Sequence, residues 1–305
     1  MDKEYNEFKN IFKSALESKY GKGKIEFNGE KEKESFKITS RKVSDELNFL
    51  TDAYFIAYNH GENIETLVEE IDGVLSATIE KYCVDDKLDM TIDKIKDSLV
   101  FSIRNLGDYR INNFMYDELE GGMAEIYELE VDMYNKISIT KEMAKDFNLD
   151  SELIREIAEK NTEKLYPATF ESVFDVSKYE PQDRTRLTNL DSCEFSKMEW
   201  YIMSNTENFQ GAAVLYYEGA AERIGEWLED DYYIVPCSIH ELMVVPASFD
   251  NLDLIEDLLN NANEEVVKPY DVLGSRVLKY NRLENKIGIA REMETELEDE
   301  TEYEI

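Results

Sequence analysis

Side chains that carry chemistry are scarce in this chain, which has two histidines and three cysteines among 305 residues. Cys83, Cys193 and Cys237 form no CxxC, and adding His60 and His240 yields no zinc-ligand spacing. Reduced thiols and no bound metal are therefore expected. Phosphate cradles are missing too. Gly21-Lys22-Gly23 lacks the spacing of GxxxxGK[ST], and no GxGxxG occurs, so neither a nucleotide nor any other cofactor is predicted. Apolar runs fall well short of the ~18 residues that a membrane span requires. The opening MDKEYNEFKN has no apolar block of the secretory kind, so a cytoplasmic protein is expected. Nothing repeats with the period of a solenoid.

Positive charge is the other deficit: 34 Lys and Arg stand against 68 Asp and Glu, a net charge of −34. The imbalance is localised. Residues 1–60 hold 11 basic and 11 acidic side chains, so the whole excess lies after His60. Such a field repels nucleic-acid phosphate and anionic lipid over the ~8 Å screening length of physiological salt. Direct nucleic-acid binding and a membrane partner are thereby disfavoured, and a basic protein partner is favoured. Spread evenly over a globule of roughly 13,000 Å², the charge amounts to about one per 400 Å², against about one per 100 Å² for DNA treated as a cylinder. Nucleic-acid mimicry thus requires clustering on one face; an even spread serves solubility alone.

What is present is a folding sequence, since 42% of residues are hydrophobic, with 19 Tyr and 14 Phe. Tyr5, Phe8, Phe12, Ala15 and Leu16 share one helical face, and Ile64 to Ile79 keeps the 3.6-residue period most clearly. Lys24–Phe27 and Ser35–Thr39 read as a hairpin, and Tyr54–Tyr58 as a short helix. Further helices are expected at Ile92–Asp97, from Thr140 to near Phe147, from Asp150 or Ser151 to Pro167, at Ala220–Leu228, and around Leu252 to Leu259. Strands are expected at Leu99–Ile103, Gly122–Val131, Ile137–Ile139, Trp200–Met203, Tyr232–Val235 and Leu242–Val245. Arg276–Tyr280 and Lys286–Ile289 flank Glu284-Asn285 as a C-terminal hairpin. The pattern predicts an α+β fold of mixed helices and short, mostly antiparallel strands, without a strict βαβ rhythm. Polar residues around Pro181 suggest a linker at 177–192 between an N-terminal α+β region, 1–176, and a C-terminal one, 193–290. Residues 291–305 contain eight acids and one base and read as an acidic tail.

The segment Asp230-Asp231-Tyr232-Tyr233-Ile234-Val235-Pro236-Cys237-Ser238-Ile239-His240-Glu241-Leu242-Met243-Val244-Val245-Pro246 resembles the YILPSSIHEVILVP signature of a bacterial family catalogued as domain of unknown function 5688. Met203-Ser204-Asn205, Gly211 to Tyr217, Val277 to Arg282, Ile137 to Thr140, Glu159 to Thr162 and Leu165-Tyr166-Pro167 extend the resemblance over roughly residues 50–290. The resemblance carries no assigned activity. Its occurrence in conjugative and phage-like elements implies an accessory or counter-defence role. Cys237 stands where the family more often has serine, so the resemblance implies no essential chemistry there.

Candidate sites are of two kinds. For a basic partner the candidates are Glu229, Asp230 and Asp231 and, in the tail, Glu296, Glu298, Asp299 and Glu300. For an enzyme of unknown class they are Cys237, His240 and Glu241, with Ser238 adjacent and a bend at Pro236 to converge them. His240-Glu241 is no zincin motif, because the position of the second histidine holds Val244. In a strand its two side chains would face opposite ways. Asp85-Asp86, Glu229 to Asp231, and Asp253 with Glu256 and Asp257 could each be imagined holding magnesium, but in a chain so rich in acids a solvated acidic face is the better reading than a metal site. The expected function is that of an acidic binding protein, one version being a nucleic-acid mimic that occupies a basic groove; the enzyme is the alternative.

Overall fold

The first helix, α1 (Asp2–Tyr20), turns Tyr5, Phe8, Phe12 and Leu16 inward at spacings of three and four, and all four are buried. They meet a three-stranded antiparallel sheet, β1 (Ile25–Asn28), β2 (Ser35–Ile38) and β3 (Phe49–Leu50), whose register sets Phe27 and Phe49 on either side of Phe36. Phe36 also lies 5.5 Å from Phe12 and 5.8 Å from Tyr54, ring centre to ring centre. Tyr54 belongs to α2 (Thr51–Asn59). The helix α3 (Ile64–Tyr82) starts where Asn63 accepts the Thr66 N–H, and it buries Leu67, Val68, Ile71 and Leu75. A short ladder, β4 (Cys83–Val84) with β5 (Lys87–Leu88), and α4 (Ile92–Ile95) follow.

These elements come from a computed structural model that describes residues 2–28, 34–39, 49–84, 87–131, 135–174, 185–193 and 195–295. The chain divides into two compact units: Met1–Ile95 with Glu130–Ile137, and Lys96–Leu129 with Ser138–Ile305.

The second unit holds two sheets. In one, β6 (Leu99–Asn105) and β7 (Tyr116–Leu119) flank β8 (Met123–Glu130), antiparallel throughout, and β9 (Lys136–Ser138) also pairs with β8. The helix α5 (Lys141–Asp146) begins under a Thr140 cap and α6 (Ser151–Leu165) under an Asp150 cap. Thr162 of α6 accepts the Phe101 N–H of β6, which ties helix to sheet.

The other sheet has six strands: β10 (Ala168–Ser172), β11 (Tyr201–Asn205), β12 (Tyr232–Val235), β13 (Leu242–Pro246), β14 (Leu278–Asn281) and β15 (Lys286–Ile289), in the order β10-β11-β13-β12-β14-β15. Alternation along β12 sorts its faces. Tyr233 and Val235 pack with Val245, Leu252, Ile255 and Leu259, the last three from α8 (Leu252–Glu265). Tyr232 points the other way, where its hydroxyl donates to the Ala221 carbonyl of α7 (Ala220–Leu228). Gly225 of α7 lies so close to Tyr280 that a Cβ would come within 2.6 Å of the ring, so only glycine allows this approach. One helix thus covers each face of the sheet.

The fold is α+β, and β14 with β15 is the expected C-terminal hairpin. Two expectations differ in detail. Part of the 177–192 stretch lies outside the described residues; of the rest, Leu187–Ser192 forms 3-10 turns with Leu187 and Leu190 buried. Residues 290–295, at the start of the expected tail, are helical, with Ala290 buried. Arg291 holds Asp253 at 2.6 Å, and the Tyr233 hydroxyl donates to Glu294 at 2.6 Å, so a cation and a tyrosine anchor a stretch too acidic to order itself.

Candidate functional site

The loop after β11 is built around Asn205, whose Oδ1 accepts the Glu207 N–H and whose Nδ2 donates to the Phe209 carbonyl. Asn208 and Gln210 take the left-handed conformation, with φ of 52° and 53°. Gly211 then passes where a Cβ would meet the His240 carbonyl at 2.5 Å and Ser204 Oγ at 2.2 Å. This path delivers the Gln210 N–H to His240 Nδ1 at 3.2 Å. A nitrogen that accepts cannot carry the proton, so the neutral ring is protonated on Nε2, 3.4 Å from Asp271 Oδ1. Both ring nitrogens of His240 are therefore engaged, and the Phe209 ring lies against it at 5.5 Å.

The other members of the expected catalytic group stand apart from this arrangement. Cys237 packs against the Tyr233, Val245 and α8 cluster, and burial, with the Glu241 charge in second place, pushes its thiol up to about 11. At neutral pH it is a thiol, not a nucleophilic thiolate. Ser238 Oγ accepts the backbone N–H of His240, and Glu241 is exposed. No hydrogen bond joins the side chains of Cys237, His240 and Glu241.

Behind β6 the sheet buries charge that sequence reading did not single out. Ser102 and Ser138 donate to Glu128, and Arg104 lies 3.9 Å from the same carboxylate. Burial lowers the pKa of Arg104, while the charges of Glu128, Asp108 and Asp271 support its ionised form. Arg110 is held by Asp108 and donates to the Tyr270 carbonyl. Arg104 and Glu128 are charges at inward strand positions, the one sequence signal that marks them.

Three of the acids expected to dock a partner also make contacts within the fold. Glu229, the left-handed C-cap of α7, pairs with Lys197 at 2.6 Å, which holds its carboxyl below the usual range. Asp230 accepts the Ser248 N–H and Asp231 the Arg282 N–H, so both secure turns. Glu296, Glu298, Asp299 and Glu300 lie outside the described residues.

A better acidic surface is the outer side of α8. Its core stripe, Leu252, Ile255 and Leu259, leaves two exposed stripes: Asp253, Asp257, Asn260 and Glu264, and beside them Leu254, Leu258, Asn261 and Glu265. Leu254 and Leu258, one turn apart, are 42% and 41% exposed. The helix carries five carboxylates, with Glu256, and no base. Arg291, from residues 290–295, pairs with Asp253 and Glu256, and among the described residues no cation pairs with Asp257, Glu264 or Glu265.

The geometry defines an acidic α+β protein built on a helix-flanked antiparallel sheet. The sequence model of a family of unknown function (DUF5688) matches residues 5–282, and the chain belongs to that family. No curated protein and no solved structure matches it. Among the described residues, no helix is long and apolar enough to cross a membrane.

Proposed function

We propose that this is a binding protein that docks a basic protein partner on the outer side of α8. The observation that carries the reading is the Leu254–Leu258 pair, exposed and bordered by Asp253, Asp257 and Glu264 on a helix without a base. An amphipathic basic segment would set apolar side chains on the leucines and Lys or Arg on the carboxylates, the usual helix-on-helix complement. The mimic version of this proposal would use Asp257, Glu264 and Glu265, the carboxylates of α8 that Arg291 does not pair. Chemistry at His240 is the weaker reading, because its Nδ1 is taken by the Gln210 N–H, its Nε2 faces Asp271, and Cys237 is protonated.

The test is an anisotropy titration with a labelled peptide that segregates Lys/Arg and Leu on opposite helical faces, beside a scrambled peptide of the same composition. The segregated peptide should bind more tightly, and its affinity should fall as salt rises. Asp257→Lys with Glu264→Lys should weaken it about tenfold or more at low salt, while stability moves by no more than about 0.5 kcal/mol, as for other surface changes. Equal binding of both peptides, or charge reversal without effect, would refute the proposal.

A further inference from the structure

Within the second unit a cavity of about 470 Å³ opens between the start of β10, the turn at 186–188 and the entry to α7. That volume lies in the range of small-molecule sites, about 300–1,000 Å³. Its wall includes Arg186, whose Nη1 is wholly buried and has no hydrogen-bond partner. Among the described residues no ion pair involves this guanidinium either. A chain with twice as many carboxylates as bases does not leave an arginine unpaired for want of acids, and a buried guanidinium nitrogen without a partner is a cost to folding even on a half-buried side chain. The arginine is nonetheless fixed in place. Its backbone bridges to Thr169 of β10, its carbonyl accepts the Asn189 N–H, and the preceding Thr185 carbonyl accepts the Phe170 N–H.

Two more positive groups reach the same cavity. Arg223 lines it while one of its nitrogens pairs with Asp191 at 2.6 Å. The nine-residue α7 begins there as well, at Gly219, which has a φ of 71° and offers no side-chain cap to the first-turn N–H groups. Those groups and the helix dipole favour an anion. Leu187 and Tyr217 supply apolar wall, and the exposed Glu163 and Glu218 complete the lining.

We propose that this cavity binds a small molecule through a single oxyanion head, a carboxylate or a phosphate monoester, seated between Arg186 and the start of α7. The apolar body of the ligand rests on Leu187 and Tyr217. Glu163 and Glu218 turn away polyanions and leave room for hydroxyl or amino donors at the far end. The site is independent of α8, and Arg186 is its specificity determinant: its Nη1 lies against protein without a partner, and the rest of the half-buried guanidinium is left for the ligand.

The experiment is calorimetric titration of the full chain with phenyl phosphate and with phenylacetate, benzylamine serving as the cationic control, together with thermal unfolding without ligand. At least one of the two anions should bind, and which of them binds more tightly identifies the head group; benzylamine should not. Arg186→Met keeps the apolar stem and should lose about 10- to 100-fold in affinity, as expected for a charge-assisted hydrogen bond. Without ligand the same variant should melt about 2–4 °C higher than the parent. Ala168→Phe, which fills the space and leaves the guanidinium, should abolish binding. Failure of both anions to bind, equal affinity in Arg186→Met, or a lower unliganded melting point for that variant would each overturn the proposal.

Discussion

The two units solve the problem of an interior differently. In the first, aromatic rings fill the space between α1, α2 and the small sheet, and Glu34, the one carboxylate buried there among the described residues, is answered by the Tyr5 hydroxyl and by Lys9. In the second, Glu125, Glu128, Glu171 and Lys279 are buried together with the Arg104 guanidinium. Among the described residues, Glu125 Oε1, Arg186 Nη1 and Tyr216 Oη are buried there without partners, against the Thr51 hydroxyl in the first unit. Charge follows the same division: 15 bases against 23 acids in the first unit, 19 against 45 in the second. An interior optimised for stability alone would not keep such groups. The difference teaches that function is to be sought in the second unit, while the first is an ordinary packed core.

The strongest test of that contrast is in the first unit. Phe36 is fully buried and touches the rings of Phe12, Phe27, Phe49 and Tyr54, so Phe36→Ala removes a hub from a core with nothing polar to compensate. The expected loss, read by urea unfolding, is about 3–5 kcal/mol. A loss below about 1 kcal/mol would mean that the aromatic cluster is not what holds this unit together.

Next in size is the pH dependence set by Glu125 on β8. Burial, reinforced by the charges of Glu159 and Asp117 and opposed by Arg155 and the Tyr127 hydroxyl, raises its carboxyl to about 7. Glu120 near Tyr216 adds further negative charge to this region. The unfolded chain releases this proton near pH 4.3. Between the two values the folded state holds a proton that the unfolded state has lost, so stability is fully present at low pH and falls as pH rises through about 7. Glu125→Gln removes the penalty. Its urea midpoint should match the parent near pH 4 and exceed it at pH 8, by an amount on the order of 3 kcal/mol. Glu70 is also raised, and subtracting the parent curve from the variant curve cancels its part; Glu159, raised as well, is coupled to Glu125, and its response is included in the difference. A difference that does not change with pH would show that Glu125 is ionised throughout and that the second unit tolerates a buried charge.

The same contrast explains what could be read from the sequence. Apolar periodicity made α1 and α3 legible, and the runs at Tyr232–Val235 and Ala220–Leu228 gave the bounds of β12 and α7. β10 was not legible, because Thr169, Glu171 and Ser172 are buried there beside Phe170 and leave no apolar alternation to follow. β7, Tyr-Asp-Glu-Leu, is hidden for a similar reason. At the candidate site His240 stood out, yet its partners Gln210 and Asp271 lie 30 and 31 positions away in loops that only the sheet order brings together. Arg186 fell inside the stretch read as linker, since a polar segment with one half-buried arginine has the composition of a loop. Where polar groups are placed inward for a purpose, hydrophobic pattern stops reporting on burial.

The smallest expected effect asks whether the contrast extends to helix ends. Asn63 in the first unit and Asp150 in the second cap their helices in the same way, each accepting a backbone N–H three residues on at 2.9 Å. Replacing either by alanine should cost about 1 kcal/mol in urea unfolding. Asp150 also places a full negative charge at a helix start, worth about 0.3–1 kcal/mol at low salt. Asp150→Ala should therefore exceed Asn63→Ala by about that margin, and Asp150→Asn, which keeps the hydrogen bond and loses the charge, should bring the two units level. High salt should remove the margin in the parent. If Asp150→Asn costs as much as Asp150→Ala, the carboxylate charge rather than the hydrogen bond sets the start of α6, and the two units differ in their electrostatics even where their geometry is the same.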